Sequence, residues 1–181
     1  NITHDASLRS WVESANDPAS DFPIQNLPFG VYRRGGAAPG MIAIGVAIGD
    51  QILDISSAAQ AGFFDGDAAD AARRCGSSML HAYMALGRKY WSALRAQLVR
   101  LLRADTEQGR KAAMTAGLLL PQAEAEMSKP AYIGDFVDFF ASRQQARRAG
   151  EIAGKGLPAN YDCMPPASHG RTASIMLSGA P

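Results

Sequence analysis

The chain has 181 residues, enough for one ordinary domain or for one small domain with part of another. Its composition, with 47% hydrophobic and 19% charged residues, is typical of globular proteins and excludes wholesale disorder. The formal net charge of +1 argues against nucleic acid or a membrane as the main partner, because such proteins usually carry a clear basic excess.

Residues 1–20 predict a short helix followed by a polar connection. Ser7 can cap this helix through its hydroxyl. Leu8, Trp11 and Val12 would then share one helical face. These first residues are too polar for a signal peptide. The next stretch, DFPIQNLPFG, has two prolines that favour an extended path, and its apolar residues predict a segment packed on a core.

Residues 31–56 predict β-strands. GVYRR is short and rich in β-forming residues, and MIAIGVAIGDQILDI has two apolar runs on either side of Gly49 and Asp50. Glycine adopts positive φ readily and aspartate tolerates turn positions, so this pair predicts a hairpin. We expect a small barrel or sandwich over residues 21–60.

The hydrophobic period changes over residues 66–104, where apolar residues recur at helical spacing. We predict a helix around residues 83–103 that packs on the strands. Its basic residues lie mostly off the apolar face and indicate a solvated surface rather than a nucleic-acid site. The apolar stripe consists of Tyr90, Trp91, Leu94, Leu98, Leu101 and Leu102.

Residues 105–130 are polar and rich in alanine, which predicts a connection ending at a domain boundary near Pro130. Cys75 and Cys163 fit neither a disulfide framework nor a zinc site, so a reducing cytoplasm is the expected compartment. No apolar run approaches the ~18 residues of a membrane span. We therefore expect free thiols and no membrane partner.

The stretch DFVDFFASRQQARRAG has the composition of an active-site edge, with two carboxylates, neighbouring aromatics and a basic run. None of its residues ordinarily titrates near neutral pH. Asp135 alone could cap a helix starting near Val137, and Asp138 alone is more often a surface or capping carboxylate than a ligand. The arginines that follow, Arg143, Arg147 and Arg148, favour a solvated helix face over an anion clamp.

Four stretches in order along the chain resemble the fumarylacetoacetase family. They are THDASLRSWVESANDPASDFPIQNLPFGVY, GVAIGDQILD, IGDFVDFFASRQQA and SHGRTASIMLSGAP. The resemblance implies an α+β chain, mainly β: a small SH3-like β-barrel domain with a packed helix over 1–130. The opening segment of a β-rich catalytic domain, incomplete here, would occupy 131–181.

The resemblance also implies a chemistry. The family hydrolyses a carbon–carbon bond in a β-diketone acid, giving fumarate and acetoacetate at the end of tyrosine and phenylalanine catabolism. Mg²⁺ or Ca²⁺ holds the diketone oxygens, and a histidine oriented by a carboxylate takes a proton from water. A homodimer is implied where the full catalytic domain is present.

Five positions carry the site in this resemblance. Asp138 matches a metal ligand of the family and is retained. Gln145 stands at the general-base histidine, and Phe140 at a substrate-binding tyrosine. Gly154 matches a substrate-binding arginine, and Ser168 a second tyrosine. Four functional side chains are therefore replaced, and one carboxylate is too few for a hard cation.

Two hypotheses follow from this pattern. One is a fragment or divergent member of the hydrolase family, inactive alone because the other metal carboxylates come from sequence outside this chain. The other is a non-catalytic paralogue that serves as a binding or assembly module. His169 reads first as part of a His-Gly turn, and less readily as a substitute for the missing base.

Overall fold

The computed structural model describes residues 2–36 and 42–178. The chain divides into two compact units, Asn1–Ala131 and Tyr132–Pro181. Met41, at the start of the second predicted strand, and the last three residues lie outside the described part. The identity of the two predicted domains stays a prediction. The elements of the first unit, in chain order, are β1 (Phe29–Arg34), β2 (Ile42–Ile48), β3 (Gln51–Asp54), α1 (Ile55–Gln60), α2 (Gly66–Arg74), α3 (His81–Met84), α4 (Arg88–Leu102), α5 (Glu107–Ala113), β4 (Leu119–Pro121) and β5 (Ala125–Ser128).

The described strands of the first unit form one antiparallel sheet in the order β4-β3-β2-β1-β5. The predicted hairpin is confirmed: β2 and β3 pair around Gly49, whose φ of 56° needs glycine. The two edge strands of the sheet, β4 and β5, are joined by only Gln122–Glu124. Three residues span roughly 10 Å at most, so the sheet must curl until its edges approach each other.

Helix α4 packs its apolar face into the main core, as predicted. Leu94 and Leu98 are fully buried, and Tyr90 is half-buried against the same cluster. The assignment of Trp91 to the buried stripe is wrong, because its side chain is 40% exposed. Its indole N–H instead donates to the Tyr83 carbonyl at 2.9 Å. The confirmed residues of the stripe lie in or against the main core, and α2 packs against α4.

The short helix predicted within residues 1–20 is wrong. Only Ile2–His4 and Glu13–Asn16 are helical, and both are short 3₁₀ turns. Between them the chain runs along the end of α4, where the Trp11 indole donates to the Leu101 carbonyl at 2.8 Å. The Ser10 hydroxyl donates to the Leu102 carbonyl at 2.9 Å. These bonds satisfy terminal carbonyls of α4, which a second helix would leave unpaired.

The connection predicted over residues 105–130 is also wrong, because it contains α5, β4 and β5. Thr106 caps α5 by accepting a hydrogen bond from the Gly109 N–H at 2.9 Å. The two strands are short and pair with strands distant in sequence. The packed segment before β1 is confirmed, since Ile24 and Leu27 are buried.

Cys75 and Cys163 both carry free thiols, as predicted. Burial raises the pKa of the Cys75 thiol to about 12, which makes it a poor nucleophile at neutral pH. Within the described residues, no helix has the length and apolar character needed to cross a membrane.

A carboxylate ties the hairpin turn to the first residues of the chain. The Ser14 hydroxyl donates to Asp50 Oδ1 at 2.5 Å, and Ser14 Oγ accepts from the Asp50 N–H at 3.0 Å. The hydrogen bond from Ser14, followed by that from Gln51, lowers the pKa of Asp50. The resulting stabilisation is present above the ordinary carboxyl pKa and is lost as the pH falls through the lowered value.

Ser14→Ala is therefore expected to raise the pKa of Asp50 towards its ordinary value, because it removes the largest cause of the shift. A carboxyl-carbon NMR titration measures this directly. Ser7→Ala is the matched control, since Ser7 binds Asp5 and should leave Asp50 unchanged. An unshifted Asp50 in the Ser14 variant would contradict the assignment.

Candidate functional site

The second unit contains β6 (Val137–Phe139), α6 (Arg143–Ile152) and β7 (Ala167–His169). β6 and β7 pair antiparallel, and Asp138 lies directly opposite Ser168. The Phe140 N–H continues the ladder by donating to the Pro166 carbonyl at 2.9 Å. Because side chains alternate between faces, Asp138, Phe140 and Ser168 project from one face of this two-stranded sheet. The structure thus brings together three of the five predicted site positions, and we call this the Asp138 face.

The other face of the same sheet carries a histidine and a carboxylate. His169 Nε2 lies 2.7 Å from Asp135 Oδ2, and His169 is directly opposite Val137. Two expectations are corrected here. Asp135 caps no helix, because a strand begins at Val137, and His169 ends a strand rather than forming a turn. Alternation places His169 away from the Asp138 face, so this strand geometry does not offer it as the base beside Asp138.

Gln145 lies in the first turn of α6. Ser142 caps this helix by accepting from the Gln145 N–H at 3.4 Å. The side chain of Gln145 is exposed. A neutral amide has no basic lone pair at neutral pH, so it cannot accept a proton from water as a histidine does.

Gly154 follows the end of α6 and has a φ of +68°. Its N–H donates to the Glu151 carbonyl at 3.1 Å, which closes the last turn. An L-residue is strained at this φ, so an arginine here would require a different backbone path. Gly154 therefore acts in the described conformation as a helix terminator.

The arginine side chains of α6 that form ion pairs are exposed to solvent, as predicted. Arg143 pairs with Asp162, and Arg147 lies 3.5 Å from Glu151, with the side chains of both arginines more than half exposed.

Tyr161 was missed by sequence reasoning. It is buried, and its hydroxyl donates to the Phe140 carbonyl at 2.6 Å. The aromatic ring in NYDCMPP was the available signal, and it fixes the chain just after β6.

The carboxylates present do not fit a resident divalent cation. Among the described residues, no group of three or more His, Cys, Asp or Glu side chains is placed to hold a metal ion. Asp138 is the one carboxylate of β6 on its face, and Asp135 points to the opposite face and binds His169. Hard cations take six or more oxygen ligands, so this donor set is insufficient.

Comparison with known proteins identifies the family. The family model described as "Fumarylacetoacetase N-terminal" matches residues 25–130. The chain belongs to the fumarylacetoacetase family. It is 40% identical to fumarylacetoacetase of Oryza sativa subsp. japonica over 177 residues, which is 95% of this chain and 41% of that protein.

Animal fumarylacetoacetases give the same result. Identity is 41% over 165 residues to the Caenorhabditis elegans protein, covering 88% of this chain and 38% of the relative. For the Mus musculus protein it is 40% over 183 residues, covering 95% and 41%. The chain spans about two fifths of the length of these relatives. The roles of the five site positions within the fumarylacetoacetase family stay predictions.

Proposed function

We propose that this chain supplies the SH3-like N-terminal portion and the first catalytic segment of a fumarylacetoacetase-type hydrolase. The substrate class is a β-diketone acid, the reaction is hydrolysis of a carbon–carbon bond, and the compartment is the cytoplasm. The observation that carries the proposal is the joint placement of Asp138, Phe140 and Ser168 on one face of the β6–β7 sheet. We expect Mg²⁺- or Ca²⁺-dependent activity, and assembly into a homodimer, only where the full catalytic domain completes the site.

The residues at the five site positions favour an inactive state of the isolated chain. Cleavage of a carbon–carbon bond leaves negative charge on the departing carbon, and it needs a base that activates water. Gln145 cannot supply that base, and Phe140 and Ser168 cannot supply phenolic donors. Asp138 is exposed and stands without further ligands on its strand.

We therefore expect the purified 181-residue chain to hydrolyse neither fumarylacetoacetate nor simpler acylpyruvates at a measurable rate. The assay follows the loss of the diketone absorbance with and without Mg²⁺ or Ca²⁺. Metal-dependent turnover that Asp138→Ala abolishes would overturn this expectation. Asp162→Ala is the matched control, because Asp162 is an exposed carboxylate of the same unit that pairs with Arg143.

A second candidate is a non-catalytic binding or assembly module. It is favoured by the thin packing of the second unit, where the described buried hydrophobic residues are Ala146 and Tyr161. Val137 and Phe139 are 55% and 60% exposed on β6. An uncovered strand with apolar side chains is suited to pairing with another chain.

Hydrogen exchange is expected to show that the second unit is less well packed than the first. In a dilute monomer, amides of residues 132–178 should exchange at least roughly tenfold faster than those of β2 and α4, because few buried contacts oppose local opening. Addition of a pairing chain should slow exchange in β6 and β7. Strong protection throughout the second unit of the monomer would contradict the prediction.

A further inference from the structure

The pairing of β6 with β7 has to be specified without a buried face. All six residues of the two strands are exposed. In most sheets the register is fixed by burial, because a slip of one residue moves every apolar side chain to the solvent face. Here a slip would carry no such penalty, and it would move Asp138 to the opposite face from Ser168.

Four residues at the open end of this pair make specific contacts across it, and we call them the register clasp: Asp135, Phe136, His169 and Gly170. Asp135 Oδ2 lies 2.7 Å from His169 Nε2. Asp135 Oδ1 accepts from the Phe136 N–H at 2.8 Å, which orients the carboxylate. The Gly170 N–H donates to the Phe136 carbonyl at 2.9 Å.

The Asp135–His169 contact discriminates against a slip of one residue. In the observed register His169 lies opposite Val137, so it shares a face with Asp135 two residues earlier. If β7 moved by one residue, His169 would lie opposite Phe136 or Asp138, and its ring would project from the face away from Asp135. The contact is therefore compatible with the observed register and lost in the neighbouring ones.

The aromatic contact discriminates against a slip of two residues, which would preserve the faces. The Phe136 ring lies across the backbone of Gly170, and a Cβ at that position would overlap the ring. Moving β7 by two residues would bring Ser168 or Thr172, each with a Cβ, to the position opposite Phe136. Gly170 is the one glycine of the segment Ala167–Gly170, so only there is the space taken by the ring free of a Cβ.

We propose that Asp135 and His169 are positioning residues whose pairing, together with the Phe136–Gly170 contact, sets the register that aligns Asp138 with Ser168 and Phe140. This inference rests on the proposed function, which treats the Asp138 face as part of a hydrolase site. In this proposal His169 acts by fixing the register of the sheet and does not act as a base. The partner of the clasp lies within this chain, so the isolated chain is sufficient for its test.

The test is NMR of the isotope-labelled 181-residue chain. The ladder places Val137/His169 and Phe139/Ala167 as the non-hydrogen-bonded pairs, whose α-protons approach closely and give strong cross-strand contacts. Asp135→Ala and His169→Ala should each weaken these two α-proton contacts. Each should also speed exchange of the Gly170 amide by up to ~5-fold, the most that an exposed contact between such side chains contributes. Gly170→Ala should displace the Phe136 ring and remove the same contacts.

Ser168→Ala is the matched control, because it alters the same strand without changing a residue of the register clasp, and it should leave both α-proton contacts intact. The exchanged pair, Asp135→His with His169→Asp, should restore them, which a role in bulk packing would not predict. Unchanged intensity of both contacts in the two single alanine variants would overturn the proposal. Loss of the α6 signals along with the hairpin would also overturn it, since the pair would then support the unit as a whole. None of these outcomes depends on the hydrolase assay.

Discussion

Leu98→Ala is expected to lower the free energy of unfolding of the first unit by about 3–5 kcal/mol. Leu98 is fully buried in the centre of α4, among side chains of the sheet and of the neighbouring helices. Its truncation removes the transfer free energy of the buried atoms and leaves a cavity that rigid neighbours cannot fill. Urea denaturation followed by the fluorescence of Trp11 and Trp91 measures the change.

Met114→Ala is the control for this variant, because Met114 is 82% exposed and its truncation should change the free energy by less than roughly 0.5 kcal/mol. The slope of the free energy against urea should stay constant in both variants, since the same surface is exposed on unfolding. A loss below about 1 kcal/mol for Leu98→Ala would mean that α4 packs less closely than the structure shows.

Local sequence signals predicted the elements that form from local interactions. The Gly49–Asp50 turn sets its own hairpin, because a glycine at positive φ fits the twist of the paired strands. The periodic apolar residues of α4 predicted its buried face within a few residues of its ends. In both cases, the deciding contacts lie within one element or between neighbouring elements.

Elements defined by distant contacts were not predictable in this way. Ser10 and Trp11 bind the carbonyls at the end of α4, about ninety residues away. The helical spacing of Leu8, Trp11 and Val12 was therefore misleading. β4 and β5 are three and four residues long and take their stability from β3 and β1. A strand of that length carries too little alternation to be recognised alone.

The candidate site shows the same division. Family resemblance located Asp138, Phe140 and Ser168 in the sequence, but their shared face depends on the register of β6 against β7. The pairing of Asp135 with His169 joins residues 34 positions apart and had no local signal. Gly154 matched a functional position by alignment alone, whereas its φ of +68° explains the glycine by helix termination.

Restoring the family's side chains at the replaced site positions gives the sharpest test of the proposed function. We expect Gln145→His to raise the rate of β-diketone hydrolysis by roughly 10²–10⁴-fold in a chain extended by the remaining C-terminal portion of the Mus musculus fumarylacetoacetase. The extension is meant to supply the carboxylates that this chain lacks. The new imidazole would provide a group able to accept a proton from water near neutral pH.

Gln144→His is the matched control, because it places the same ring one residue earlier on α6, about 100° around the helix. It should leave the rate unchanged if position 145 is the base. Phe140→Tyr and Ser168→Tyr, added to Gln145→His, should each raise the rate further, since one well-placed donor to a developing oxyanion contributes roughly 3–4 kcal/mol. Their effects need not add, because groups that act on one transition state depend on each other. If Gln145→His has no effect while the two tyrosines do, the base position is wrong and charge stabilisation limits the reaction.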